Sequence, residues 1–201
     1  DKNFATRRET ILGSNQYPNF LEKAAKDITK EVVTRGAQAE CCKSESCEKQ
    51  AEPLPVYRGS QPFEALRFAT DCSGKQPQAF MLTFGNLAMC RARAQFSCNF
   101  FAVAGFKVVD NNRFATVDEG IEAALASGAE IIVACSADDE YAEAVPQIAA
   151  KVGGRAIVVV AGDPECRPQL EEAGVKDYIH VRCNVLETLR EYEDRLGIAK
   201  L

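Results

Sequence analysis

Few residues in this 201-residue chain are equipped for chemistry, and they are scattered. Cys41, Cys42 and Cys47 cluster in a polar segment. Zinc usually takes four ligands, often as paired Cys-x-x-Cys units. The spacing here is Cys-Cys-x4-Cys with no histidine nearby, which reads better as a reduced, flexible loop than as a metal site. Cys90, Cys98, Cys135 and Cys183 fall in or beside predicted helices and strands, where a thiol behaves as a small apolar group. Asp138, Asp139 and Glu140 form an acidic run that could bind a metal or supply a general acid. Carboxylates at a helix start are more simply explained by the helix dipole. Arg91 and Arg93 could hold a phosphate, or face solvent, or pair with a partner chain. Gly162-Asp163-Pro164 reads as a turn into a helix. His180 is the only histidine, and its place at a strand end is read as structural.

The elements that must position these residues begin at Phe80. An apolar run ends at Gly85-Asn86 and a long helical pattern follows, the strand-loop-helix opening of an α/β unit. The alternation then continues. Strands are predicted at Ala79–Phe84, Phe106–Val109, Glu130–Cys135, Ala156–Ala161 and Asp177–His180. Helices are predicted at Ala88–Ala104, Val117–Ser127, Glu140–Val152, Cys166–Ala173 and Val185–Leu196. Gly105, Gly128 and Gly174 each follow a helix, where a left-handed cap needs no side chain, and Thr116 is placed to cap the helix it precedes. Ile131-Ile132-Val133-Ala134 and Ile157-Val158-Val159-Val160 are the near-continuous apolar runs of buried parallel strands. The fold class is therefore α/β, a doubly wound parallel five-stranded sheet of flavodoxin-like order 2-1-3-4-5.

Ligands of such sheets bind over the carboxyl ends of the strands, at the switch point between the first and third. His180 stands two strands away, roughly 10 Å at the usual spacing. The loops at the switch point exclude several uses. A receiver domain needs acidic residues after the first strand, where this chain has Gly85-Asn86. A flavodoxin needs a hydroxyl-rich phosphate loop, and Thr83 alone is too little. A dinucleotide fingerprint needs Gly-x-Gly-x-x-Gly, and Gly85 is a lone glycine.

Residues 1–35 read as an N-terminal helical extension. A turn is expected over Gly13–Pro18, followed by an amphipathic helix over Phe20–Val33 that must bury against this domain or a partner. Residues 36–77 read as a linker with the Cys-rich segment and a short helix over Phe63–Thr70. Residues 78–201 form the α/β domain. A net charge of −5 argues against nucleic acid as a partner. No apolar stretch approaches the roughly 20 residues that span a bilayer. With neither an initiator methionine nor a signal-type segment, the expectation is a fragment or processed chain in the cytoplasm.

Residues 79–201 resemble the cobalamin-binding-type domain of the methylmalonyl-CoA mutase family, and more closely that of its small, non-catalytic subunits. The stretches that carry the resemblance are Gly85-Asn86-Leu87-Ala88, Arg91-Ala92, Asn99-Phe100-Phe101, Gly105-Phe106, Asp110-Asn111 and Phe114-Ala115-Thr116-Val117. It continues through Ser127-Gly128-Ala129, Ala134-Cys135-Ser136, Tyr141-Ala142 and Ala173-Gly174-Val175. Arg8 and Gly13-Ser14-Asn15-Gln16-Tyr17-Pro18 resemble the family's stretch just after its substrate-binding barrel. The Cys-rich linker is not part of the resemblance.

Members that bind adenosylcobalamin carry an Asp-x-His-x-x-Gly loop, a Ser-x-Leu and a Gly-Gly pair. Here the Asp position falls on Leu87, the His position on Met89 and the final Gly on Ala92. The Ser-x-Leu place reads Cys135-Ser136-Ala137, and the Gly-Gly place reads Ala161-Gly162. A carboxylate-aligned imidazole is a strong metal ligand, whereas a thioether beside Leu87 is weak and unoriented. The resemblance thus implies a structural domain with a degenerate site at Leu87, Met89, Ala92, Ser136, Ala137, Ala161 and Gly162, with no catalytic residue and no cofactor of its own. It implies a heterodimer with a large catalytic subunit that holds adenosylcobalamin and interconverts methylmalonyl-CoA and succinyl-CoA. The residues alone leave open a cobalamin- or nucleotide-binding module of atypical mode, or an unrelated interaction domain.

Overall fold

The sheet grows from runs of β-branched and aromatic residues too apolar to face water on either side. In a computed structural model that describes residues 2–23, 30 and 58–199, these become β1 (Gln78–Thr83), β2 (Lys107–Val109), β3 (Ile131–Cys135), β4 (Ile157–Ala161) and β5 (Asp177–Ile179). All pair in parallel, in the order β2-β1-β3-β4-β5, which is the flavodoxin-like order expected. In register, Phe80 faces Ile132 and Leu82 faces Ala134. Glu130, Ala156 and His180, assigned to strands from the sequence, lie just outside them. The Glu130 carboxylate instead accepts from the Gln78 amide (2.8 Å) and fixes the start of β1.

Alternate strand residues build two cores, as the period of a strand requires. On one face Ala79, Met81, Ile131, Val133 and Val159 pack under α2 (Gln61–Cys72), α3 (Leu87–Ala102) and α7 (Val185–Arg195). On the other, Phe80, Leu82, Ile132, Ala134 and Val160 pack under α4 (Val117–Ser127), α5 (Tyr141–Val152) and α6 (Arg167–Glu172). The helix ends follow the caps in the sequence. Thr116 Oγ1 accepts from the Glu119 amide (3.2 Å), and Gly128 closes α4 at φ +68, a left-handed turn that costs glycine nothing.

The segment before β1 is more than a connector. The short helix expected at Phe63–Thr70 is the twelve-residue α2, and its Phe63, Leu66 and Ala69 join the first core. Upstream, α1 (Lys2–Ala5) is a single turn. The buried Asn15 ties the following loop together: its Oδ1 accepts from the Ile11 amide (2.7 Å), and its Nδ2 donates to the Phe4 and Glu9 carbonyls. Arg67 on α2 donates to the Glu22 carbonyl (2.7 Å) and to that of Asn19. The amphipathic helix expected from Phe20 does not begin there, since Phe20–Lys23 is turn and irregular chain. Most of its remainder, and Cys41, Cys42 and Cys47, lie outside the described residues. Among the described residues no helix is long and apolar enough to cross a membrane.

Candidate functional site

The switch point lies between the carboxyl ends of β1 and β3, and two loops meet there. The first leaves β1 at Gly85, whose φ of +66 turns the chain sharply into α3. Asn86 then caps that helix, its Oδ1 accepting from the Met89 amide (3.1 Å). The helix therefore starts at Leu87, one residue before the predicted Ala88. The second loop leaves β3 at Ser136 and runs through a short 3-10 turn, Asp138–Glu140, into α5.

Glu140 reaches back across this gap. Both of its carboxylate oxygens accept from the Asn86 amide (3.1 Å each), and one also accepts from the Ala137 amide (3.2 Å). The hydroxyl proton of Ser136 lies between two acceptors, the Phe84 carbonyl (2.9 Å) and Glu140 Oε2. A Cβ added to Gly85 would stand 2.0 Å from Glu140 Oε2, so the carboxylate occupies the space that this glycine leaves. Burial by itself would push the Glu140 carboxyl up. The Ser136 hydroxyl, the Asn86 and Ala137 amides and the nearby Arg113 outweigh it and hold the group below the usual carboxylate range. Backbone amides converging at a switch point make a cradle for an anion, and here the anion is the protein's own.

The next layer down is closed as well. Tyr141 is fully buried. Its hydroxyl accepts from the Ser136 amide (2.9 Å) and donates to the Ala161 carbonyl (2.8 Å), bridging the ends of β3 and β4. Its ring meets Phe84 edge-on at 6.4 Å. Above β4, Arg93 Nη2 pairs with Asp138 Oδ1 at 2.9 Å. A Cβ on Gly162 would fall 2.8 Å from Arg93 Nη1 and 3.0 Å from Asp138 Oδ1. The pair therefore lies over Gly162. Replacing Tyr141 with Phe is expected to leave the Ser136 amide and the Ala161 carbonyl without their partner, and to cost about 2 kcal/mol in a denaturant titration.

Of the positions singled out in the sequence, Ser136, Ala137, Ala161 and Gly162 gather around this closed centre. Leu87 and Met89 do not. They are 58% and 38% exposed on the first turn of α3, and Ala92 is exposed one turn further on. Arg91 faces solvent, one of the readings open for the arginines, and Arg93 is half-buried. Both pair within the chain, Arg93 as above and Arg91 with Asp110 (3.2 Å) and the Asn111 carbonyl (2.8 Å). The acidic run also departs from its helix-dipole reading at Glu140, which serves the loop of another strand. Sequence reasoning singled out Glu140 only as part of the acidic run and missed its role across the loop, and it gave Tyr141 no role at all. The signal available was slight: Glu140 stands three residues after Ala137 and accepts from its amide, half of a capping box that alanine has no side chain to complete.

Among the described residues no three His, Cys, Asp or Glu side chains converge as a metal would require. Burial pushes the Cys135 thiol up and that of Cys98 up to about 12, so both stay protonated and inert at neutral pH. His180 Nδ1 accepts from the Arg182 amide (3.2 Å). Burial lowers the pKa of its ring against the opposing pull of Asp163.

No family model matches the chain. It is 53% identical over 194 residues to the methylmalonyl-CoA mutase small subunit of Porphyromonas gingivalis, covering 96% of this chain and 30% of that protein. It is 28% identical over 204 residues to the corresponding subunit of Streptomyces virginiae, covering 98% of this chain and 30% of that one. It is 28% identical over 202 residues to a probable methylmalonyl-CoA mutase small subunit of Mycobacterium tuberculosis (96% and 29%). The chain thus spans about 30% of the length of the first of these relatives. Over the stretch that they share with it, the chain belongs to the methylmalonyl-CoA mutase small-subunit family.

Proposed function

We propose that this chain is the cobalamin-binding-like domain of a methylmalonyl-CoA mutase small subunit and that its role is architectural. In this reading it helps to hold a large catalytic subunit in a cytoplasmic heterodimer, and adenosylcobalamin belongs to that partner. The domain itself supplies no catalytic residue.

The observation that carries the architectural part is the Glu140 carboxylate seated on the amides of Asn86 and Ala137. A cobalamin phosphate or nucleotide tail entering at the switch point would meet a fixed negative charge where it needs donors. Next it would meet the Tyr141 bridge between β3 and β4 and the Arg93–Asp138 pair over Gly162. The cobalt-ligand position offers the exposed thioether of Met89, with Leu87 in place of the carboxylate that would orient an imidazole. The residues present do not fit the group. A thioether is a soft ligand, and it lacks the carboxylate partner that orients a histidine ligand in the family's loop.

The test is the cobalamin content of the assembled enzyme. This chain, within its small subunit, is combined with the large subunit, saturated with adenosylcobalamin and freed of excess. One cobalamin per heterodimer is expected. The architectural reading is falsified if two are retained. Titrating the isolated chain to micromolar cobalamin should likewise leave the free cofactor's spectrum unchanged. A protein-ligated, base-off spectrum would favour an atypical binding module instead.

A further inference from the structure

A second concavity, away from the switch point, has a lining that the architectural role does not use. The loop ordered by Asn15 lies along α3 and is pinned to Asn99. The Tyr17 amide donates to Asn99 Oδ1 (2.7 Å), Asn99 Nδ2 donates to Gln16 Oε1 (3.3 Å), and Arg7 Nη2 donates to the Asn99 carbonyl (3.3 Å). Between this loop, α3 and the start of α7 is a pocket of about 390 Å³, within the range of small-ligand sites. Phe96, Ala92 and Val185 make its apolar wall, and Arg7, Asn99 and His180 its polar side.

Arg7 sets the chemistry. Its guanidinium stacks over Phe96 and Phe100, 5.9 and 5.5 Å from the ring centroids. Stacking engages the flat face of a guanidinium and leaves the N–H donors at its edge for a planar oxyanion. Of the five donors, the one in use among the described residues is the bond to Asn99, and Nε is buried without a partner among them. Burial lowers the pKa of Arg7 to about 10, so it stays a cation at neutral pH, and among the described residues no carboxylate pairs with it. A buried charge left so is costly, and an unsatisfied buried donor calls for a missing partner. His180 adds a second donor: its Nδ1 accepts from the Arg182 amide, which puts the proton of the neutral ring on Nε2. The backbone is also strained here. Arg7 (φ 57) and Tyr17 (φ 48) are the two non-glycine residues of positive φ among the described residues, and both line this pocket. Strain of that kind gathers at ligand clamps.

We propose that this pocket binds a small molecule bearing a carboxylate or phosphate on a compact apolar body. The oxyanion would sit against Arg7 and His180, and the body against Phe96 and Val185. The inference does not depend on the mutase reading.

Phenyl phosphate, benzoate, inorganic phosphate and the neutral benzyl alcohol serve as probes of the full chain, followed by amide chemical shifts in NMR titrations. Saturable shifts are expected at Ala92, Phe96, Asn99 and Val185, with the better aromatic anion bound at least about tenfold more tightly than benzyl alcohol. Whichever of phenyl phosphate and benzoate binds more tightly identifies the headgroup. Inorganic phosphate, lacking the apolar body, should bind more weakly than phenyl phosphate. Arg7→Gln should erase the preference for charge. Ala92→Phe, on the exposed wall, should abolish binding of every probe at an unchanged melting temperature. The proposal is overturned by the absence of saturable shifts up to about 10 mM, by equal affinity for benzyl alcohol, or by undiminished binding in Ala92→Phe. Should Arg7→Gln fail to fold, the neutral probe and Ala92→Phe still decide.

Discussion

Adenosylcobalamin titrated into the double variant Leu87→Asp/Met89→His is expected to keep its free, base-on spectrum, although the variant regains the carboxylate and imidazole of the family's ligand loop. Restoring the ligand does not open the site. The Glu140 carboxylate still fills the space beside Gly85, and Tyr141 still bridges β3 to β4. The two changes should be thermally cheap. Packing the positions in a closed core would charge each new polar group about 1–3 kcal/mol for lost partners, but Leu87 and Met89 are exposed. An Asp at the first position of α3 is also favoured by the helix dipole, by a few tenths of a kcal/mol. A melting temperature close to that of the parent with no cobalamin bound is the predicted pair of results. Micromolar binding by the double variant would mean that the tail finds room despite Glu140. A triple variant that also carries Glu140→Gly is the one in which weak binding should first emerge.

Replacing Glu193 with Gln is expected to stabilise the protein strongly at alkaline pH and hardly at all at pH 4. Glu193 lies on α7, 4% exposed, and its Oε1 accepts from Thr70 Oγ1 on α2 (2.9 Å). Burial raises its pKa from 4.5 to about 8, with Asp194 adding to the rise, while the Thr70 hydroxyl and Arg190 oppose it. The native state therefore holds a proton that the unfolded chain has already lost between about pH 4.5 and 8. Its stability falls as pH rises through that window and levels off above it. Gln keeps the acceptor for Thr70 and cannot ionise. The gain at pH 9 should be roughly 3–5 kcal/mol, read from denaturant midpoints of the two proteins across pH. Parallel pH curves for parent and variant would sink the idea. So would equal protection of α2 amides at pH 6 and pH 9 in the parent, because the charge develops at the contact between α2 and α7.

The order of the five strands, their apolar runs and the Thr116 and Gly128 caps follow from local patterns that any reader of the chain can see. Strand burial needs only a short run of Ile and Val, and a cap needs only one residue type beside a helix end. The start of α3 was legible to within one residue for the same reason. Positions Leu87, Met89, Ala137 and Ala161 could be named from a resemblance. The state of the site could not, because it rests on a side chain brought from elsewhere: Glu140 meets the Asn86 amide 54 residues away in sequence. An acidic run before a helix looks the same whether it decorates a dipole or fills a cradle. The pairing of Arg91 with Asp110 and of Arg93 with Asp138, the burial of α2 in the core, and the Arg7 pocket are of this second kind. Each depends on which polar groups the closed sheet brings together across a loop. A charge finds its partner by distance, and the periodicity of a sequence carries no distances between elements. The sequence by itself determined an α/β sheet whose first loop carries Leu87 and Met89 where the resemblance places a carboxylate and an imidazole. The tertiary structure decided that the loop's empty space would be taken by a carboxylate of the protein itself.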